Sequence, residues 1–297
     1  MTEPVTSTPA PPPACRLAVL GSPIEHSLSP ALHRAAYGAL GLDWRYDAVR
    51  VAAGGLSDFL GSLGGEWRGL SLTMPLKHEV QAHLDGLDRI AEQTGSVNTV
   101  LLGETDGRRT LHGFNTDVTG LVRALAEAGV RRAVHVTLLG AGATAASALV
   151  AAAELGAETV DVLVRSPAKA AALVALGQSL GVVVTVHPLT DLPNPERVSD
   201  LVISTLPGGS VLGAEFPADL RRTAVLFDVS YAPWPSSLAR SWVLAGGTAV
   251  SGEGMLLHQA LVQVRIFVSG DPFEPLPNEA GVLQAMRGAL TRQAVTG

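Results

Sequence analysis

Short valine- and leucine-rich runs alternate with helix-forming stretches along almost the whole chain, and few folds accommodate that alternation. In the second half the runs are 134–139, 160–164, 182–186, 201–204, 225–229 and 248–250, with helical sequence between most of them. A strand that is apolar along its full length is buried on both faces, and a helix inserted between strands lays them side by side in parallel. The first half carries strand runs at 16–21, 44–51, 69–74, 96–102 and 110–113, the last two around the turn Glu104–Gly107. Its helices fall at 30–40, 56–63 and 76–84. Residues 116–129 read as a helix closed by Gly129, and 255–268 and 279–291 as two final helices. The fold class is therefore α/β with largely parallel sheets.

A chain of 297 residues has the length of two domains. Its apolar share is mostly Ala, Val and Leu and only 4% of residues are aromatic, which suits α/β layers better than an aromatic-rich sandwich. The net charge is −6 without any Lys/Arg cluster, which argues against a nucleic-acid partner. The single Cys15 leaves no internal disulfide and fits a reducing, cytoplasmic setting. Residues 1–13, rich in Thr, Ser and Pro, lack the basic start and apolar block of a signal peptide and read as a disordered tail. The stretch 133–153 imitates a membrane span, but Gly140 and Gly142 break it and its alanine-dominated remainder is weakly apolar, so no span is expected.

Gly140-Ala-Gly-Ala-Thr-Ala145 fits G-x-G-x-x-A and sits between a strand and a helix, the context a dinucleotide-binding turn needs. Gly140 permits the tight turn, Gly142 lets backbone N–H groups approach a pyrophosphate, and Ala145 lets the helix lie close to the strand. Arg165 follows about twenty residues on, at the end of the next strand. Where NAD sites place an acid for the ribose 2′-hydroxyl, NADP sites prefer an arginine for the 2′-phosphate. Ser166 and Lys169 add a hydroxyl and a second charge, so NADP is favoured, although Arg165 also fits a solvated strand end.

Lys77 follows Thr73-Met-Pro75 at a helix start, where a cation is electrostatically out of place. Asp117 opens the helix after Gly113-Phe-Asn-Thr116, where a carboxylate is also a natural cap. An ammonium paired with a carboxylate beside a nicotinamide is what ketone reduction requires. Ser27 and Ser29 lie in the loop after the first strand, where open α/β sheets bind ligands, and they equally suit helix capping before Pro30. Asn98 follows the same logic from another strand-to-helix junction. His78-Glu-Val-Gln-Ala-His83 is one residue too long for the H-E-x-x-H zinc motif; on a helix the two rings stand about 140° apart, and no metal site is expected.

Together these segments resemble the shikimate dehydrogenases from about Cys15 onwards. The motifs are G-S-P-I-E-H-S-L-S-P (21–30), L-T-M-P-L-K (72–77), G-S-V-N-T (95–99), G-F-N-T-D (113–117), G-A-G-A-T-A (140–145) and G-E-G-M-L-L-H-Q-A (252–260). The resemblance implies reduction of 3-dehydroshikimate to shikimate with NADPH, with Lys77 as acid/base and Asp117 as its partner. It implies that Ser27, Ser29, Thr73, Asn98, Tyr231 and Gln259 hold the substrate. Cofactor contacts would come from Gly140, Ala141, Gly142, Ala143, Thr144, Ala145, Arg165, Ser166 and Lys169. Ser204, Thr205, Leu206, Gly252 and Met255 would add to them near the nicotinamide.

Three positions depart from the family pattern: Ala143 for a glycine, Val164 for an asparagine ahead of the arginine, and Ser71 for an asparagine ahead of Thr73. The architecture expected is an N-terminal α/β substrate domain with a mainly parallel sheet, 14–117 completed by 254–297, and a Rossmann dinucleotide-binding domain, 118–253. Quinate or aminoshikimate reduction and a non-catalytic metabolite-binding role stay open, as does a monomer or a homodimer.

Overall fold

The computed structural model describes residues 15–194 and 196–296, with side chains to residue 292; the tail 1–13 lies outside the described residues. The chain opens with β1 (Arg16–Gly21), α1 (Ser29–Leu40), β2 (Arg45–Arg50), α2 (Leu56–Gly61) and β3 (Trp67–Leu72). Next come α3 (Leu76–Glu79), β4 (Gly86–Leu87), α4 (Arg89–Thr94), β5 (Thr99–Thr105) and β6 (Arg108–Phe114). The six strands form one sheet in the order β2-β1-β3-β5-β6-β4. β1 runs parallel to β2 and β3, while β5 runs antiparallel to both β3 and β6. The β5–β6 hairpin closes on Asp106-Gly107, whose positive φ angles of 53° and 74° give the turn that matches strand twist.

After α5 (Asp117–Glu127) a second sheet is built from β7 (His135–Leu139), α6 (Ala143–Glu154), β8 (Thr159–Val164), α7 (Ala171–Leu180) and β9 (Val183–Pro188). It continues through β10 (Leu201–Ser204), α8 (Ala218–Thr223), β11 (Val225–Asp228), α9 (Ser237–Leu244) and β12 (Ala249–Ser251). Its order is β12-β11-β10-β7-β8-β9, all parallel. Strand order reverses between β7 and β10, and in open α/β sheets ligands bind at such a switch point, outside the carboxyl ends of the strands. The chain ends with α10 (Glu253–Ser269) and α11 (Glu279–Thr296).

Each sheet is apolar on both faces. Leu257, Leu261, Val264 and Phe267 of α10 and Met286 of α11 meet Leu17, Leu32 and Tyr37 on one face of the first sheet, and Leu20, Leu56, Leu70 and Leu76 fill the other. Burying such a side chain stabilises the fold by about 2 kcal/mol relative to exposure. α6 is buried from Ala145 to Ala152, mostly through alanines with Leu149 and Val150 between them, and packs on the second sheet. α5 and α10 touch through Gly120, where a Cβ would lie 2.8 Å from the Met255 carbonyl oxygen.

The helix expected over 76–84 is broken: four α-helical residues give way to a 3-10 turn, Val80–His83. The carbonyl of Lys77 accepts from Val97 N at 3.0 Å, so it is engaged outside the helix instead of continuing the helical ladder. β4 and α4 occupy 86–94, where no element was expected; Asp88 caps α4 by accepting from Ala91 N at 2.7 Å.

Candidate active site

The ends of β1, β3 and β6 face the ends of β7, β10 and β11 across a cleft of about 570 Å³. From the first sheet it is lined by Ser27, Ser29, Thr73, Lys77, Asn98 and Asp117. Thr144, Thr205, Leu206 and Tyr231 line the opposite wall, and Gly252, Met255 and Gln259 line the α10 side. Asn98 reaches this edge differently from expectation. It leads into a strand and does not leave one, and because β5 runs antiparallel to β3 its beginning lies where the neighbouring strands end.

Lys77 Nζ donates to Asp117 Oδ2, with side chains only 13% and 5% exposed. The turn carrying Lys77 is pinned by the fully buried Leu76 and by the Val97 bond to its carbonyl. Asp117 does not cap its helix. Asn115 Oδ1 accepts from Asp117 N at 2.9 Å, which leaves the Asp117 carboxylate to Lys77 and to Asn98 Nδ2, which donates at 2.8 Å. The Asn115 amide is itself held by Thr94 Oγ1 and Ser147 Oγ. Two desolvated charges are stable together only when further hydrogen bonds satisfy them, and Asn98 supplies one. The arrangement provides a positioned proton on nitrogen, beside a carboxylate that orients it, in a partly water-excluded cleft.

Ser27 and Ser29 do not cap α1: the N-cap residue is Leu28, without a side-chain cap. Ser27 Oγ accepts only a long 3.4 Å contact from Ser29 N. Tyr231 lies on the loop after β11, its phenol pushed up by burial. Asp228 holds that loop, accepting from Ser230 N at 3.1 Å and Ser236 Oγ at 2.6 Å, and burial pushes its carboxyl up. Ser204 is buried beside Asp228, and the structure does not bring it into the main cleft.

The glycine turn stands at the switch point. Gly140 has φ +106°, and a Cβ there would lie 2.5 Å from Thr205 Oγ1, so only glycine suits the approach of these two strand ends. Gly142 precedes α6 in extended conformation without a side-chain cap, and a Cβ there would meet nothing within 4 Å. The N–H groups of Ala143 and Thr144 have no helical acceptor beside that open space, while those of Ala145 and Ala146 turn back to the Gly142 carbonyl, and free N–H groups at a helix start are what a pyrophosphate needs. Within this turn Thr144 alone lines the main cleft; Gly140, Ala141, Gly142, Ala143 and Ala145 are not among the residues that line it, and of these Gly142 is exposed and Ala145 buried. Arg165, Ser166 and Lys169 are exposed beyond the end of β8, along the same sheet edge and outside the cleft walls. Asp161, in the body of β8, is engaged by Arg197 at 2.6 Å. The residues present fit a dinucleotide with a 2′-phosphate.

Residues 19–100 match the family model of the shikimate dehydrogenase substrate binding domain. The shikimate dehydrogenase (NADP(+)) of Rubrobacter xylanophilus is 36% identical over 260 residues, covering 86% of this chain and 90% of that protein. The chain belongs to the shikimate dehydrogenase family. Mycobacterium tuberculosis shikimate dehydrogenase superposes with a TM-score of 0.76 at 36% identity, covering 92% of this chain and 99% of that one. The Thermus thermophilus shikimate 5-dehydrogenase, solved in complex with NADP(H) and shikimate, gives 0.74 at 32% identity, covering 93% and 99%.

Within this shikimate dehydrogenase scaffold the three departures have structural counterparts. Val164 is buried in the second sheet, where it offers no polar contact. Ala143 is the first residue of α6. Ser71 is buried and accepts from Tyr46 Oη at 2.7 Å. Gln263 escaped the sequence reading. It lines the cleft one turn beyond Gln259, and two glutamines four residues apart in a helix that buries most of its length were the available signal. Thr116 was also missed; it accepts from Asn98 Nδ2 at 2.9 Å. Among the described residues no helix is long and apolar enough to cross a membrane, and no group of three His, Cys, Asp or Glu is placed to hold a metal.

Proposed function

We propose that this chain catalyses the reversible, NADP-dependent reduction of 3-dehydroshikimate to shikimate, an oxidoreductase step of aromatic amino-acid biosynthesis. The observation that carries the reading is the Lys77–Asp117 pair, inside a cleft that also exposes the dinucleotide turn side of the second sheet. NADPH supplies the hydride when held by the 140–145 turn, Arg165, Ser166 and Lys169. Lys77 delivers its proton to the oxygen on C3 as the carbonyl carbon is reduced, and takes a proton back in the oxidising direction. Asp117 orients the ammonium and balances its charge, and Asn98 fixes Asp117.

Ser27, Ser29, Thr73, Asn98, Tyr231 and Gln259 hold the carboxylate and hydroxyls of the substrate. Thr205, Leu206, Gly252 and Met255 flank the nicotinamide, with Ser204 supporting that loop from beneath. The substrate domain is 14–117 with 254–297 and the dinucleotide domain is 118–253; the protein acts in the cytoplasm as a monomer or homodimer. Oxidation of shikimate and quinate by the purified chain with NADP⁺ or NAD⁺, followed by cofactor absorbance, tests this reading: shikimate with NADP⁺ is the expected best pair. Lys77→Ala lowers kcat by about a thousandfold, the scale of a lost general acid, with shikimate affinity changed less than about threefold. Near-wild-type turnover of the variant removes Lys77 from the chemistry.

A further inference from the structure

Behind the cleft lies a buried run of hydrogen bonds whose direction can be read at each link. Gln263 Nε2 lies 3.2 Å from the Asn98 carbonyl oxygen and 2.9 Å from Thr99 Oγ1. A carbonyl oxygen only accepts, so the amide nitrogen must face it, and Gln263 Oε1 is turned the other way. That oxygen accepts from Ser71 Oγ at 2.9 Å and meets His33 Nε2 at 3.1 Å, so the imidazole carries its proton on Nε2. Nδ1 of His33 is then the acceptor for Tyr37 Oη at 3.2 Å. Burial holds His33 neutral, with its pKa lowered to about 3.

On the other side Thr99 Oγ1, having accepted from Gln263, donates to Asn98 Oδ1 at 2.9 Å. Thr116 N donates to the same oxygen at 3.0 Å and so fixes the Asn98 amide, whose Nδ2 donates to Asp117 Oδ1. The donors point one way, from Tyr37 through His33, Gln263, Thr99 and Asn98 to Asp117, and hydrogen bonds aligned in this manner polarise and strengthen one another.

His33 is fully buried and is not part of the cleft wall. We propose that His33 is a positioning residue for the acid/base pair: its Nε2–H orients Gln263, and through Thr99 and Asn98 it fixes the carboxylate oxygen of Asp117 that Lys77 does not use. This rests on the reading of Lys77 and Asp117 as the acid/base pair. The ring has a separate packing role, since it stacks on Tyr46 with centroids 3.9 Å apart and planes 8° from parallel.

The two roles separate in opposite substitutions. His33→Phe keeps a stacking ring and loses the donor; His33→Gln keeps a donor in the Nε2 position and loses the ring. The expected result is a fall in kcat of about tenfold for His33→Phe, the size of one lost buried hydrogen bond, with the NADP⁺ KM unchanged. His33→Gln stays within about threefold of wild type. Thr99→Val, which cuts the run two links nearer the site while preserving volume, reproduces the His33→Phe loss. The side-chain amide resonances of Asn98 shift in His33→Phe and Thr99→Val and stay in place in His33→Gln, a readout that needs no turnover.

A wild-type kcat in His33→Phe or Thr99→Val, or an activity order with Phe above Gln, overturns the proposal. If the wild-type chain lacks shikimate turnover while the Asn98 resonances follow this pattern, the functional reading fails and the hydrogen-bond run stands. If turnover is present and the pattern is absent, the run fails and the function stands.

Discussion

The buried imidazole of His33 ties acid stability to one side chain. In the unfolded chain a histidine takes up its proton near its ordinary value of 6.5, whereas in the fold burial holds the group down to about 3. Its hydrogen-bonded partners, Tyr37 and Gln263, are both neutral and offer no charge to stabilise an imidazolium. Between those two values the unfolded chain binds a proton that the folded chain does not. Stability from this site is therefore complete above 6.5 and is lost as pH falls toward the folded value. At a pH of about 4.5, two units below the unfolded value and above the folded one, the loss is about 3 kcal/mol. The perturbation is His33→Gln, which removes the titration and keeps a hydrogen-bonding amide. Urea unfolding followed by circular dichroism at about pH 7 and about pH 4.5 measures the loss in each protein. Wild type should lose about 3 kcal/mol more than His33→Gln over that interval, since the remaining titrations are common to both. Parallel losses in the two proteins would mean that the His33 imidazole does not carry this acid sensitivity.

Two further outcomes follow from ion pairs and strand ends. Arg265 grips Glu279 with two hydrogen bonds, and this contact holds the Glu279 carboxyl below its ordinary 4.5. Glu279→Gln should cost about 2 kcal/mol at neutral pH, typical of a charge-assisted contact. The stabilisation is present above 4.5 and lost as pH falls through the folded value, so the melting temperatures of wild type and variant should converge in acid; a gap that persists there argues against the ion pair. Arg165→Ala should raise the KM for NADP⁺ by about tenfold or more while leaving that for NAD⁺ within about twofold, because only the former carries the 2′-phosphate. Equal effects on both cofactors, measured by initial rates, would place Arg165 elsewhere.

The central strands of the second sheet were legible because burial on both faces writes a nearly unbroken apolar run, and β10, buried at every residue, agrees with its sequence expectation to the residue. α4 was not legible. Its six residues mix charge and apolarity, and only Asp88 before it hinted at a cap. The break after Glu79 could not be seen in sequence at all, since it depends on Val97 claiming a carbonyl twenty positions earlier. At the site, the meeting of Lys77 with Asp117 follows from both standing at ends of strands that share one sheet edge. The oddity of a lysine at a helix start is resolved by that partner. His33 and Gln263 were invisible for a different reason: a histidine in an amphipathic helix and a glutamine in an apolar one acquire roles only when residues 33, 71, 99 and 263 close on one another.

The close passage of α5 against α10 at Gly120 has a mechanical consequence. The chain crosses between its two sheets at Asn115–Asp117 and again at Gly252–Glu253, and both crossings border the Lys77–Asp117 pair. These two crossings are the covalent connections about which one sheet would turn relative to the other. The amine and the carboxylate stand beside those crossings, whereas Arg165 lies exposed beyond the end of β8, outside the cleft walls. A displacement about those crossings would change the distance from Arg165 to the first sheet more than the distance between Lys77 and Asp117.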